Sequence, residues 1–261
     1  MMAPFLDAHR HLPLPGAGEG GPCLAFREAG VDCVAVNSTG EEEWQEVLTL
    51  AQACPEVVPF LGIHPWWAGE ARAGWHERLA ALLATSRAGI GEIGLDALAS
   101  APAETQEALF VRQLLLAEEL ALPVAIHCCR RWGRLLELMS ATLGGRARVI
   151  IHGFGGSLET MRRLLDLGAM LSFGPALAHP AREKVREAFR RVPAERLLLE
   201  SDWAPRQRAA RLGAPLREPP GPLLALTALY RLAATLKSMD EAEFRALAWN
   251  NGQLLLAPFT T

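Results

Sequence analysis

Eight short apolar runs, each separated from the next by helix-like sequence, divide this chain of 261 residues and leave few folds open to it. They are Phe5–Leu12, Val31–Ser38, Val57–Pro65, Ala88–Asp96, Pro123–Cys129, Arg148–Phe154, Ala169–Pro175 and Leu197–Trp203. Their starting points lie 21 to 35 residues apart, the pitch of a repeated strand–helix unit. The runs are continuously apolar rather than alternating, as parallel strands covered on both faces should be. Among the intervening segments, Thr105–Leu122 (TQEALFVRQLLLAEELAL) carries apolar residues at helical spacing, and its clearest helical part is Gln106–Leu122. Eight such units close into a barrel more naturally than they extend as an open sheet. The expected fold is therefore α/β, a single (β/α)8 TIM barrel, with residues 1–261 as one domain.

Two stretches break the regularity. Pro13–Pro22 is rich in Gly and Pro, so the helix after the first strand should be short. After the eighth strand, Ala204–Pro222 (APRQRAARLGAPLREPPGP) is a long loop rich in Arg and Pro, leaving from what would be the C-terminal mouth. Half of the residues are hydrophobic and 21% are charged, which supports a sizeable core and argues against disorder. The net charge of −3 gives no basic surface field of the kind that coats nucleic acid non-specifically. The five cysteines have no disulfide-scaffold spacing, and a reducing compartment is the simple reading. No apolar stretch reaches the length of a membrane span, and MMAPFLDAHRHL lacks the pattern of a signal peptide, so the cytoplasm is expected. No feature calls for an obligate protein partner.

The chemistry-bearing residues gather at strand ends. His9-Arg10-His11 lies near the end of the first run, where a period of two points both imidazoles to one side. Alone, such a pair is equally readable as two histidines satisfied by their neighbours. Glu92 lies near the end of the fourth run, His127 near that of the fifth, His152 of the sixth and Asp202 of the eighth. In a parallel barrel these ends form one face, so residues distant in sequence converge. An ionised side chain buried without a partner costs several kcal/mol even after relaxation, against a net stability of about 5–15 kcal/mol for a whole domain. Two carboxylates and four imidazoles in one barrel mouth need compensation, and divalent cations supply it. A donor set of nitrogen and oxygen without thiolate suits Zn, Mn, Fe, Ni or Mg.

At this level of detail the chain resembles a known family. Asp7-Ala8-His9-Arg10-His11, Gly62-Ile63-His64-Pro65, Gly91-Glu92-Ile93-Gly94-Leu95-Asp96, Pro123-Val124-Ala125-Ile126-His127, His152-Gly153-Phe154-Gly155-Gly156-Ser157 and Glu200-Ser201-Asp202 are similar, in order, to the motifs of the TatD-type metal-dependent hydrolases of the amidohydrolase superfamily. The resemblance runs from about residue 5 to Leu256. It implies a TIM barrel, two divalent ions and hydrolysis, commonly deoxyribonuclease or exonuclease action at DNA 3′ ends. It also implies that His9, His11 and Asp202 hold one metal, that His127 and His152 hold the other, and that Glu92 bridges them. The catalytic residues would be Asp202, taking or relaying the proton of the attacking water, and Glu92. DNA or another phosphodiester is the substrate implied; an amide, ester or lactone is the alternative, and a metal-binding module without turnover is a third reading.

The departures from the family pattern lie around these residues. Trp66 and Trp67 follow the His64-Pro65 pair where another histidine is common, Ala97-Leu98-Ala99-Ser100 replaces an aromatic and a basic residue, and Cys129 stands where arginine is common. Gly153 and Gly155 occupy positions usually held by Cys and Ser. His64 should face the mouth and contact substrate phosphate, or else cap a helix or loop. Trp66 and Arg130 are candidate substrate contacts, as is Arg206 with its neighbours Arg208 and Arg211; packing under loops and solvated loop charge are the plain alternatives. Asp7 shares parity with His9, and Glu200 shares it with Asp202, so either carboxylate could orient a ligand imidazole. Asp7 could equally receive backbone hydrogen bonds. Cys129 should lie near the mouth and Cys128 should face a helix, whereas His76 and His179 read as surface residues.

Overall fold

The computed structural model describes residues 3–12, 21–202 and 222–256. Eight parallel strands run in chain order around one sheet: β1 (Phe5–Arg10), β2 (Val31–Asn37), β3 (Val57–Leu61), β4 (Gly89–Asp96), β5 (Pro123–Cys129), β6 (Arg148–Ile151), β7 (Met170–Phe173) and β8 (Leu197–Leu199). Helices α1 (Gly21–Glu28), α2 (Trp44–Ala53), α3 (Trp75–Thr85), α4 (Ala103–Leu120), α5 (Trp132–Thr142), α6 (Leu158–Asp166) and α7 (Glu183–Arg191) alternate with the strands. Two further helices, α8 (Pro222–Lys237) and α9 (Glu241–Leu256), follow β8. This is the TIM barrel expected from the eight runs, and α1 is short, as the Gly/Pro-rich stretch before it predicts. Residues 13–20 and 203–221, on which the two irregular stretches of the sequence mostly fall, lie outside the described residues. No helix among those described is long and apolar enough to cross a membrane.

The strands begin within a residue of the apolar runs; β4 and β5 end where their runs end, and the other six stop sooner. The third run continues to Pro65, whereas β3 ends at Leu61, because the chain turns at Gly62 and enters a short 3-10 segment at Pro65. Past the strand ends, Leu12, Ile63 and Phe154 join the apolar layer between sheet and helices. Two cores result. Leu6, Ala8, Cys33, Ala35, Val58, Phe60, Ala125, Ile150, Met170 and Leu198 fill the barrel interior, and Leu255 and Leu256 of α9 join them. A larger cluster between strands and helices includes Val34, Val36, Leu61, Ile93, Ile126, Phe110 and Leu114. The helix α4 turns Gln106, Phe110, Gln113, Leu114 and Ala117 inward at helical spacing.

Between β8 and β1 the barrel is closed by side chains. Asp7 accepts hydrogen bonds from Ser201 N at 2.8 Å and Ser201 Oγ at 2.6 Å, and Asp202 N donates to His9 O at 3.1 Å. Farther along the same seam, the buried Tyr230 hydroxyl of α8 donates to Leu6 O at 2.8 Å and accepts from Leu6 N at 3.3 Å.

Candidate metal centre

Two strand irregularities aim the site residues inward. Asp7 and Arg10 pair with Val34 and Val36, and Ile90 and Ile93 pair with Val124 and Ile126. In each case three steps on one strand oppose two on its neighbour, the signature of a bulge that re-aims a side chain. The extra residue in β1 breaks the simple parity of Asp7 with His9: Asp7 stays on the seam with Ser201 and Arg10, while His9 turns to the mouth. Asp7 therefore takes the backbone-anchoring role and touches no imidazole among the described contacts. The bulge in β4 places Glu92 inward between the helix-facing Ile90 and Ile93.

Glycines make room around Glu92. A Cβ on Gly91 would lie 2.6 Å from Asn37 Oδ1 and 2.9 Å from Ala125 Cβ. At Gly94, with φ of +148°, it would lie 2.0 Å from His127 O. Each site therefore excludes any side chain.

Glu92 is the centre of the nest. Its Oε2 lies 3.4 Å from His9 Nε2 and 3.1 Å from His11 Nε2, which are themselves 3.2 Å apart. Its Oε1 lies 2.9 Å from His127 Nδ1 and 2.8 Å from His152 Nε2, again 3.2 Å apart. His64 Nε2 also approaches Oε1, at 3.4 Å. On the rim, a carboxylate oxygen of Asp202 and a ring nitrogen from each of His9 and His152 lie within 4.8 Å of one another. The structure thus brings together all six residues expected to hold metal and sets His64 beside them at the mouth, where its Nδ1 also accepts from Trp66 N at 3.2 Å and caps the 3-10 segment.

The far edges of three imidazoles are tied to acceptors. His11 Nδ1 lies 2.9 Å from Asn37 O, His127 Nε2 lies 3.1 Å from Asp96 Oδ2, and His152 Nδ1 lies 3.4 Å from Glu200 Oε1. Glu200 also accepts from Gly153 N at 2.8 Å, so it does orient a site histidine. A proton on each outer nitrogen leaves the inner nitrogen with its lone pair facing Glu92. Lone pairs converging on a carboxylate repel unless protons or cations lie between them.

The titration behaviour expresses this conflict. Burial pushes Glu92 up, but His152, His64 and His9 outweigh it and hold the carboxyl well below its ordinary value. Burial pulls His152 down, yet Glu92 and Glu200 outweigh it and hold it well above; His127 is likewise raised against burial by Asp96 and Glu92. Burial lowers His9 and His64 to about 4. Asp202 is exposed at the rim, yet desolvation of its carboxyl pushes it up to about 6; His152 opposes that shift and Glu200 adds to it.

The donor set fits divalent cations. Two ligands at about 2.0–2.1 Å from one ion stand roughly 2.9–3.4 Å apart at right-angled or tetrahedral geometry. The separations within His9, His11 and Glu92 Oε2 are 3.2, 3.4 and 3.1 Å, and those within His127, His152 and Glu92 Oε1 are 3.2, 2.9 and 2.8 Å. Among the described residues, the buried His9 Nδ1 has no hydrogen-bond partner.

The expected substrate contacts fare differently. The Trp66 indole N–H donates to Asp96 Oδ2, so its polar edge is turned toward His127's partner. Arg130 is exposed beyond β5, whereas Arg131 is drawn to Glu107 at 2.6 Å. Arg206 lies outside the described residues, as do Arg208 and Arg211. Asp96 was quoted in the sequence only as part of a motif, although its spacing of four from Glu92 puts it on the same strand face beyond the bulge.

Fold and nest together define a metal-dependent hydrolase of the TIM-barrel kind. The chain belongs to the TatD related DNase family, whose model matches residues 6–257. Among its relatives, the metal-dependent hydrolase YjjV of Escherichia coli K12 is 32% identical over 208 residues, covering 77% of this chain and 80% of that one. The 3′-5′ ssDNA/RNA exonuclease TatD of Pectobacterium parmentieri is 30% identical over 186 residues, covering 69% and 70%. The crystal structure of the E. coli YjjV protein superposes with a TM-score of 0.85 at 29% identity, covering 98% of each chain.

Proposed function

We propose that this protein, acting as one domain over residues 1–261, hydrolyses phosphodiester bonds of nucleic acid with two divalent cations bound at the mouth. His9, His11 and Asp202 would hold one ion, His127 and His152 the other, and Glu92 would join them. The observation that carries the reading is that the two oxygens of one buried carboxylate face two separate imidazole pairs, Oε2 toward His9 and His11 and Oε1 toward His127 and His152. Further support comes from the relatives named as 3′-5′ ssDNA/RNA exonucleases.

Divalent cations, when bound, supply Lewis acidity toward water and toward a phosphoryl oxygen. The chain's own residues do the rest. Asp202, raised to about 6 and exposed at the rim, accepts the proton of the attacking water and passes it to the leaving oxygen. Asp96 and Glu200 hold the rings of His127 and His152 in the orientation that presents their inner nitrogens. His64 lines the mouth beside Glu92 and is positioned for a substrate oxygen. Arg130 and Arg206 attract the anionic strand, and the ring of Trp66 offers a stacking face.

The test is a substrate panel on chelator-stripped protein resupplied with Mn, Mg, Zn, Ni or Fe. A 3′-labelled single-stranded oligonucleotide should lose its terminal nucleotide, with no comparable turnover of p-nitrophenyl esters, amides or lactones. Turnover of a lactone or amide with the oligonucleotide untouched would assign the same centre to the other chemistry.

A further inference from the structure

Away from the mouth, between α1 and the end of α2, two thiols and a carboxylate converge. Cys23 lies in the first turn of α1, Cys54 ends α2, and Glu56 immediately precedes β3, at the strand-starting end of the barrel. A sulfur from each cysteine and one carboxylate oxygen lie within 4.8 Å of one another. Cys54 Sγ is 3.2 Å from Glu56 Oε2, and the Cys23 thiol donates to Ala53 O at 3.6 Å. Arg27, one turn after Cys23, holds the other carboxylate oxygen at 2.5 Å. Cys54 and Glu56 are buried, while Cys23 is partly open and the Arg27 side chain is 58% exposed.

We infer that Cys23, Cys54 and Glu56 form a separate, thiolate-based site for a zinc-class divalent cation, reached from the Arg27 side. Buried cysteines that serve only as small apolar groups pack against carbon; here Cys54 points its sulfur at a carboxylate oxygen. With Zn–S near 2.3 Å and Zn–O near 2.1 Å, tetrahedral ligands stand about 3.8 Å apart for two sulfurs and about 3.5 Å for sulfur and oxygen. The Cys54–Glu56 separation of 3.2 Å is close to that already. Charge also closes: two thiolates and a carboxylate are matched by a dication and the Arg27 guanidinium. Binding would release the two thiol protons to solvent and leave a fourth position for water. The donor chemistry differs from that of the mouth, where nitrogen and oxygen predominate, so the two sites sort metals by softness.

Cobalt(II) separates the two sites, because only a thiolate ligand adds a near-ultraviolet charge-transfer band. Titrating Co²⁺ into reduced, chelator-stripped protein should raise that band to a plateau whose height corresponds to one thiolate-bound ion per chain, and Zn²⁺ should abolish it. The band should vanish in Cys23→Ser and in Cys54→Ser, and persist in Cys129→Ser and in Glu92→Ala. Glu56→Gln keeps both thiols and should weaken Co²⁺ binding at this site by ~10–100-fold, the scale seen when a partner of a metal site is lost. Absence of the band in folded wild-type protein would overturn the assignment. So would a band that survives both cysteine variants, or a Cys23–Cys54 disulfide recovered from protein kept under reductant. None of these readouts depends on catalysis at the mouth.

Discussion

Asp96 Oδ2 lies 3.1 Å from His127 Nε2, on the edge of the ring opposite the one that faces Glu92. The carboxylate is itself held in place: Leu98 N donates to Oδ1 at 2.7 Å, and the Trp66 indole donates to Oδ2. His127 is thereby kept with a proton on Nε2 and its Nδ1 free for a cation. Asp96→Asn keeps the volume but lets the amide present a donor to the ring. Affinity for the ion that His127 and His152 would hold should fall ~10–100-fold, read by competition with a chromogenic chelator. Unchanged affinity would leave Asp96 a loop anchor for Leu98 and Trp66 only.

Glu92→Ala removes the one group shared by both imidazole pairs. Bound metal, measured by elemental mass spectrometry on protein purified without chelator, should fall from two equivalents toward one or none, and turnover should be lost. A variant with two ions and full turnover would remove Glu92 from the centre.

Asp202→Asn tests proton transfer apart from ligation. The amide keeps an oxygen that can touch a cation but has no basicity, so kcat should drop by roughly 10²-fold or more with metal content largely retained. The acidic limb of the pH–rate profile should change with it. Retention of both ions with near-normal kcat would place the proton relay elsewhere.

Removing the metal should make stability depend on pH in a defined sense. His127 and His152 are raised above the ordinary histidine value of 6.5 by Glu92, with Asp96 and Glu200 respectively, so their contribution is complete below pH 6.5 and is lost as pH rises through their folded values. His9 and His64, lowered to about 4, act in the opposite sense, and stability gains as pH rises from about 4 to 6.5. The melting temperature of chelator-treated protein should therefore peak near neutrality or just below it and fall on the alkaline side. Restoring divalent metal should abolish the alkaline fall, and a flat alkaline profile without metal would contradict the charge balance described for the nest.

Tyr230→Phe deletes the hydroxyl that serves both Leu6 N and Leu6 O at the seam. With these buried backbone groups unpaired, stability to urea should fall by about 1–3 kcal/mol. A smaller loss would mean that the seam relaxes to pair them elsewhere.

Most of the barrel could be read from the chain because strands buried on both faces are apolar throughout, and that signal survives without any contact information. Where strands end is less legible: Gly62, Ile63 and Pro65 are apolar yet lie past the end of β3, since the layer under the helices needs the same residue types. The convergence of the six candidate ligands was legible because strand ends share one rim. Simple parity failed at Asp7, since the extra residue in β1 is a property of pairing with β2 and leaves no mark in the composition. Trp66 reads from its position as a substrate contact or as packing under a loop, and neither reading foretells its bond to Asp96. Asn37, which receives His11 through its carbonyl, could not be singled out at all, because every residue carries that group.

The crowding at Gly91 and Gly94 has a consequence for anyone wishing to retarget this catalyst. A randomised library that includes positions 91 or 94 would consist almost wholly of dead members, since even alanine meets Asn37, Ala125 or the His127 carbonyl. The wall of the mouth is thus closed to diversification at these two points. New substrate range has to be written in the side chains that follow the strands and hold none of the site histidines, at Leu98 and Arg130, both exposed.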